Sequence, residues 1–84
     1  MERFTVREDG TAQVRVEDMK AALARLAAFE DMVENLDREQ EEIARKMEDL
    51  RGRGKEKTVQ FKELLAQKLV NNNMRFRLER YGLK

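Results

Sequence analysis

From Met19 to Leu50, apolar residues recur at alternating steps of three and four. With Met19 at position a of a heptad, the a positions are Met19, Leu26, Val33, Gln40 and Met47. The d positions are Ala22, Phe29, Leu36, Ile43 and Leu50. Nine of these ten sites are apolar in a chain that is 42% charged, so the spacing is a built feature. A repeat of 3.5 residues keeps one stripe of a helix facing a partner over many turns. The pattern therefore predicts a long helix over 17–51 that needs a partner along its seam. Gln40 is the one polar residue in that seam. A buried polar residue at position a fixes register and oligomer number at some loss of stability. It predicts a paired group across an interface.

Other patterns flank this helix. Phe4 and Val6 alternate with polar neighbours, Asp9-Gly10 follows, and Ala12, Val14 and Val16 alternate again. Period-two spacing about an Asp-Gly turn predicts a β-hairpin, or failing that an arm, over 1–16. Two strands alone are marginal, so the hairpin should lie on the Met19–Phe29 end of the first helix or on a second hairpin. Asp18 is the expected cap for that helix. The additional apolar residues Leu23, Ala27, Ala28 and Met32 widen the stripe beyond a and d, as in a bundle. Later in the helix Glu34–Arg38, Glu41–Arg45 and Glu42–Lys46 put an acid four residues before a base, as on a solvated face.

Arg51-Gly52-Arg53-Gly54-Lys55 predicts a turn over 52–56, with Gly52 as the C-terminal glycine of the helix. A second helix over 57–81 should then fold back antiparallel. Its main face is Phe61, Leu65, Leu69, Asn72 and Phe76, and Val59, Val70 and Tyr81 form a second stripe nearly opposite. One stripe suits the first helix and the other suits another subunit. Gly82 supplies a left-handed stop, with Leu83 against Leu78. Asn71-Asn72-Asn73 is a weak point, because asparagine disfavours helix interiors, and the helix could break there. At roughly 1.5 Å per residue the first helix outreaches the second by about 14 Å, leaving the region of Met19, Ala22 and Leu23 for the hairpin or another chain to cover. The fold class expected is mainly α: an N-terminal hairpin followed by a long antiparallel helical hairpin, one domain overall, self-associating as a coiled-coil-like bundle.

Composition narrows the chemistry. With 84 residues the core is small, and such chains are usually reinforced by disulfides, metals or oligomerisation. Cys and His are both absent, which removes disulfides, thiolate metal sites, the commonest transition-metal ligand and the commonest general base. Ser is absent too, so no Ser–His or Cys–His nucleophile can be assembled. Oligomerisation is the remaining remedy. No enzyme activity, cofactor or metal is expected. The chain has no Pro, in keeping with uninterrupted helices. No apolar run spans a membrane, and MERFTVRED has no signal-peptide core, so a cytoplasmic location is expected.

The net charge of +1 hides an asymmetry. Residues 1–50 carry 8 basic and 14 acidic side chains, and residues 51–84 carry 10 and 3. An acidic helix matched to a basic one explains this. A basic arm for nucleic acid, using Arg51, Arg53, Lys55, Lys57, Arg75, Arg77 and Arg80, is the less favoured reading.

Individual motifs weigh the same way. GRGKEKT lacks the four residues between glycines, and the hydroxyl after Lys, that a phosphate loop needs. RGRGK resembles arms that read A·T-rich minor grooves, but Gly54 stands where those arms carry Pro, so a soluble turn is preferred. Phe76 and Tyr81 among Arg75, Arg77, Arg80 and Lys84 could stack a base, although packing and capping account for them. Glu30, Glu34, Asp37 and Glu41 line one face, but di-metal bundle sites add a His that this chain lacks.

LARLAAFED resembles the E-R-L-A-A-Y-E-D segment of short hypothetical proteins from bacteriophages and prophages of Firmicutes. Ala24, Arg25 and Phe29 stand where that pattern often has Glu, Arg and Tyr, and Met32, Val33 and Glu34 replace its usual Thr-Gly-Leu. TVQFKELLAQKLVNNNMRFRLERYGL is similar to tails in the same proteins, which end in Tyr-Gly-Leu. The two blocks cover about half the chain and consist of helix-forming sequence. The resemblance implies a mobile-element origin in a bacterial cytoplasm, and it assigns no site residues or activity. The function expected is a non-enzymatic protein-interaction module that homo-oligomerises, as a dimer or larger helical assembly. A small nucleic-acid-binding regulator is the alternative. A host or phage protein is a further partner, suggested by analogy alone.

Overall fold

The computed structural model describes all residues, Met1–Lys84. The chain is mainly helical. Strands β1 (Thr5–Glu8) and β2 (Thr11–Val14) form an antiparallel hairpin, a 3₁₀ turn follows at Val16–Asp18, and two helices complete the chain: α1 (Met19–Gly52) and α2 (Val59–Arg80). The chain divides into two compact units, Met1–Glu34 and Asn35–Lys84.

In the first unit, β1 pairs with β2 from Thr5↔Val14 to Glu8↔Thr11. Asp9 and Gly10 both take positive φ, 51° and 77°. Two successive left-handed residues make the type I′ turn whose twist suits a hairpin, and Asp-Gly is a preferred pair for it. The expected alternating stripe does not form a buried face, since Val6, Ala12 and Val16 are all exposed and Val14 is half-buried. What lies against α1 is the lead-in to the hairpin. The Arg25 guanidinium donates to the Glu2 carbonyl (2.7 Å) and sits 3.9 Å above the Phe4 ring. Asp18 is not a helix cap but the end of the 3₁₀ turn, which runs directly into α1.

In the second unit, residues 35–52 of α1 pack antiparallel on α2. Ile43, Met47, Leu50 and Phe61 form the core, with Leu64 against it. The two helices are joined by a pair of interlocked caps. Gly54, with φ +69°, donates to the Arg51 carbonyl (2.9 Å), and Lys55 donates to the Leu50 carbonyl (2.7 Å). These are the two bonds of a Schellman motif. The left-handed glycine is therefore Gly54, not Gly52, which is the last residue of α1. Arg53, at the cap between them, stays tied to the helix through Asp49 (3.3 Å).

Thr58 then caps α2. Its Oγ1 accepts from the Phe61 N–H (3.3 Å) and donates to the Lys55 carbonyl (2.7 Å). The capped helix begins at Val59 rather than at residue 57. A second Schellman motif ends α2. Gly82 donates to Glu79 (3.0 Å) and Leu83 to Leu78 (2.9 Å), with Gly82 at φ +70°. Beyond it the Lys84 ammonium pairs with Asp37 on α1.

The face that α2 presents to α1 differs from the apolar stripe in the sequence. Phe61, Leu64, Lys68, Asn71, Asn72, Arg75 and Leu78 are buried or half-buried, while Leu65, Leu69 and Phe76 are exposed. Steps of 3, 4, 3, 4 and 3 from Phe61 through Leu64, Lys68, Asn71 and Arg75 to Leu78 make this a heptad seam. Apolar spacing does not reveal it, because three of its six positions are polar. Of its polar residues Asn71, together with Asn72 beside it, meets Gln40, which explains the choice of face and the continuity of α2 through these asparagines.

Candidate interaction faces

The α1 seam divides in two. Leu36, Ile43, Met47 and Leu50 are buried, Met47 to 2% exposure. Ala22, Phe29 and Val33 are half-buried, while Met19 and Leu26 remain 44% and 52% exposed. Leu23, beside them, is 58% exposed. The second half of the seam is closed within the chain by α2. The first half forms one wall of an open apolar groove of about 520 Å³, lined by Met1, Phe4, Ala22, Arg25, Leu26 and Phe29 among others.

Gln40 finds its partners within its own chain rather than across an interface. Its Nε2 donates to Asn72 Oδ1 (2.9 Å), and its Oε1 accepts from Asn71 Nδ2 (3.1 Å). Gln67 Nε2, one turn before Asn71 on α2, donates to Asn71 Oδ1 (3.0 Å). Glu39 Oε2 lies 3.4 Å from Asn71 Nδ2. Asn71 is only 2% exposed, and it has both its oxygen and its nitrogen engaged. An interior asparagine disfavours a helix chiefly by offering its own backbone another partner. Here the amide groups are occupied by side chains, so the helix continues. Sequence reasoning did not single out Asn71 and Asn72 as partners of Gln40, or Gln67 as the partner of Asn71. The available signal was the asparagine run lying opposite Gln40 in an antiparallel hairpin.

The seven candidate nucleic-acid contacts do not form one patch. Arg51, Arg53, Lys55 and Lys57 cluster at the turn, where Arg51 pairs with Glu48 (3.7 Å) and lies 5.3 Å from the Phe61 ring. Arg53 pairs with Asp49. Arg77 and Arg80 are exposed in the last turn of α2, and Arg75 is half-buried with its Nε unpartnered. The helical residues from Val59 to Met74, roughly 24 Å of α2, separate the two groups. No three acidic side chains converge on a metal-sized space, and no helix is long and apolar enough to cross a membrane.

Comparison with known proteins gives no matching family model, no matching curated protein and no matching solved structure.

Proposed function

We propose that this protein is a non-enzymatic interaction module that self-associates through its helices, as a homodimer in a coiled-coil-like bundle. The supporting observation is the apolar surface left in the open: Met19, Leu23 and Leu26 on α1, and Leu65, Leu69 and Phe76 on α2. Scattered exposed apolar residues are ordinary, but continuous stripes on helices are the usual form of a protein-binding surface. The residue inventory supports the non-enzymatic part, since the chain lacks Cys, His and Ser. The dispersal of its cations, two of them paired with neighbouring acids, gives less support to nucleic-acid binding. The LARLAAFED resemblance suits an accessory protein of a phage or mobile element acting in a bacterial cytoplasm.

Sedimentation equilibrium of the full chain over a wide concentration range tests this reading. The expected result is reversible association to twice the 10.0 kDa chain mass. A monomer at every concentration overturns it.

A further inference from the structure

The first half of α1 carries its own instructions for pairing. Met19, Leu23 and Leu26, with the small residue Ala27, form an exposed stripe. Lys20 and Asp31 flank it. They are eleven residues apart, about three helical turns, so they lie along the same side of the stripe. Both are exposed, and neither takes part in any of the ion pairs of the structure.

When two copies of one helix meet face to face in antiparallel order about a two-fold axis, each flank meets its own counterpart. The level of the axis falls midway between the residues that pair. For Lys20 and Asp31 that level is beside Leu26. Setting Lys20 of each copy against Asp31 of the other thus brings the two Leu26 side chains together at the axis and lays Leu23 beside the small residue Ala27. A parallel arrangement would put each flank against the opposite one, so Lys20 and Asp31 would not meet. A two-fold contact is self-complementary by construction, and the flank that carries Lys20 and Asp31 meets that condition in charge.

We infer that residues 19–31 of α1 dock antiparallel on the same residues of a second copy, with reciprocal Lys20–Asp31 pairs around a Leu23–Leu26 centre. This rests on the self-association proposed above and specifies its face and orientation. A contact of about four helical turns lies at the small end of specific interfaces, so the dimer should form reversibly, in the micromolar range.

Charge reversal and cross-linking in the full chain test it. K20E or D31K alone should weaken the dimer about tenfold in sedimentation, since like charges then face each other. K20E and D31K in one chain should restore it, because the acid and the base then exchange places and opposite charges again meet across the axis. The chain has no native thiol, so L26C under mild oxidation should give a covalent dimer, whereas R38C should not. If the wild-type chain is monomeric, both this inference and the self-association reading fail. If it dimerises but the double reversal fails to recover affinity, or L26C does not cross-link, only this docking is overturned. Circular dichroism of each variant separates lost pairing from lost folding.

Discussion

The two halves of α1 carry the same heptad spacing but end in different surroundings. In residues 36–50 the seam is closed by α2, with four apolar side chains buried. In residues 19–33 the same spacing leaves Met19 and Leu26 half open to solvent, with Phe4 and Arg25 beside the stripe. A repeat therefore establishes that a helix has a sticky side, and says nothing about which chain will cover it. What separates the halves is the presence of matched groups on α2 and just beyond it. Gln40 has Asn71 and Asn72 opposite it, and Asp37 has Lys84. In the first half Lys20 and Asp31 take part in none of the ion pairs.

The largest test of this contrast is truncation in each half. Met47→Ala removes a fully enclosed side chain and should cost about 2–5 kcal/mol in urea unfolding followed by circular dichroism. Leu26→Ala, on the open side, should cost below about 0.5 kcal/mol for the monomer. On the proposed docking its effect should grow with protein concentration, because its packing would then be made between two copies. Equal losses at low concentration would mean that the two halves are equally closed.

The Gln40 cluster offers the next test, with an effect of intermediate size. Asn71→Ala leaves the Gln40 carbonyl and the Gln67 amide without their partner and should cost about 1–3 kcal/mol. Replacing both Gln40 and Asn71 by leucine removes the unmet Gln40 carbonyl, leaves the exposed Gln67 and half-buried Asn72 amides to water, and should recover part of that loss. The expected price is register: with an all-apolar seam, sliding or mispaired helices become competitive, and the amide spectrum by NMR should broaden or multiply. A sharp single spectrum from the double variant would show that the polar cluster does not select the pairing.

Much of this architecture can be read from the residues. Asp9-Gly10 marks the hairpin turn because only a few residue types tolerate two successive positive φ values. The absence of Pro and the sustained heptads give α1 its length. The glycines locate the second turn but not its left-handed residue, because Gly52 and Gly54 are equally permissive and only the bond pattern from Leu50 and Arg51 distinguishes them. The face of α2 is hidden for a deeper reason. Counting apolar positions assumes that oily residues win the interior. Lys68, Asn71 and Arg75 occupy the seam instead, and the amide partners that hold Asn71 there lie on α1, which a single helix taken alone cannot show. The candidate faces inherit this limit: exposure of Leu65, Leu69 and Phe76 follows from which side the amides claim.

A small and local effect is expected in the first unit. Arg25 makes two contacts there, donating to the Glu2 carbonyl and covering the Phe4 ring. Both hold the lead-in strand residues on α1, and a hairpin of two short strands has little else to fix it. Arg25→Ala should therefore cost only about 0.5–1 kcal/mol, the scale of one exposed cation–π contact with one hydrogen bond. The loss should be local. Amide exchange at Thr5–Glu8 and Thr11–Val14 should accelerate, while amides of Ile43, Met47 and Phe61 keep their protection, since the core around them shares no contact with Arg25. Arg25→Lys separates the two contributions, because it keeps a donor and a charge but loses the flat guanidinium that lies on the ring. Exchange accelerating equally in both regions would show that the hairpin and the helical core unfold as one, and the contrast between the two halves of α1 would then be one of exposure without any difference in stability.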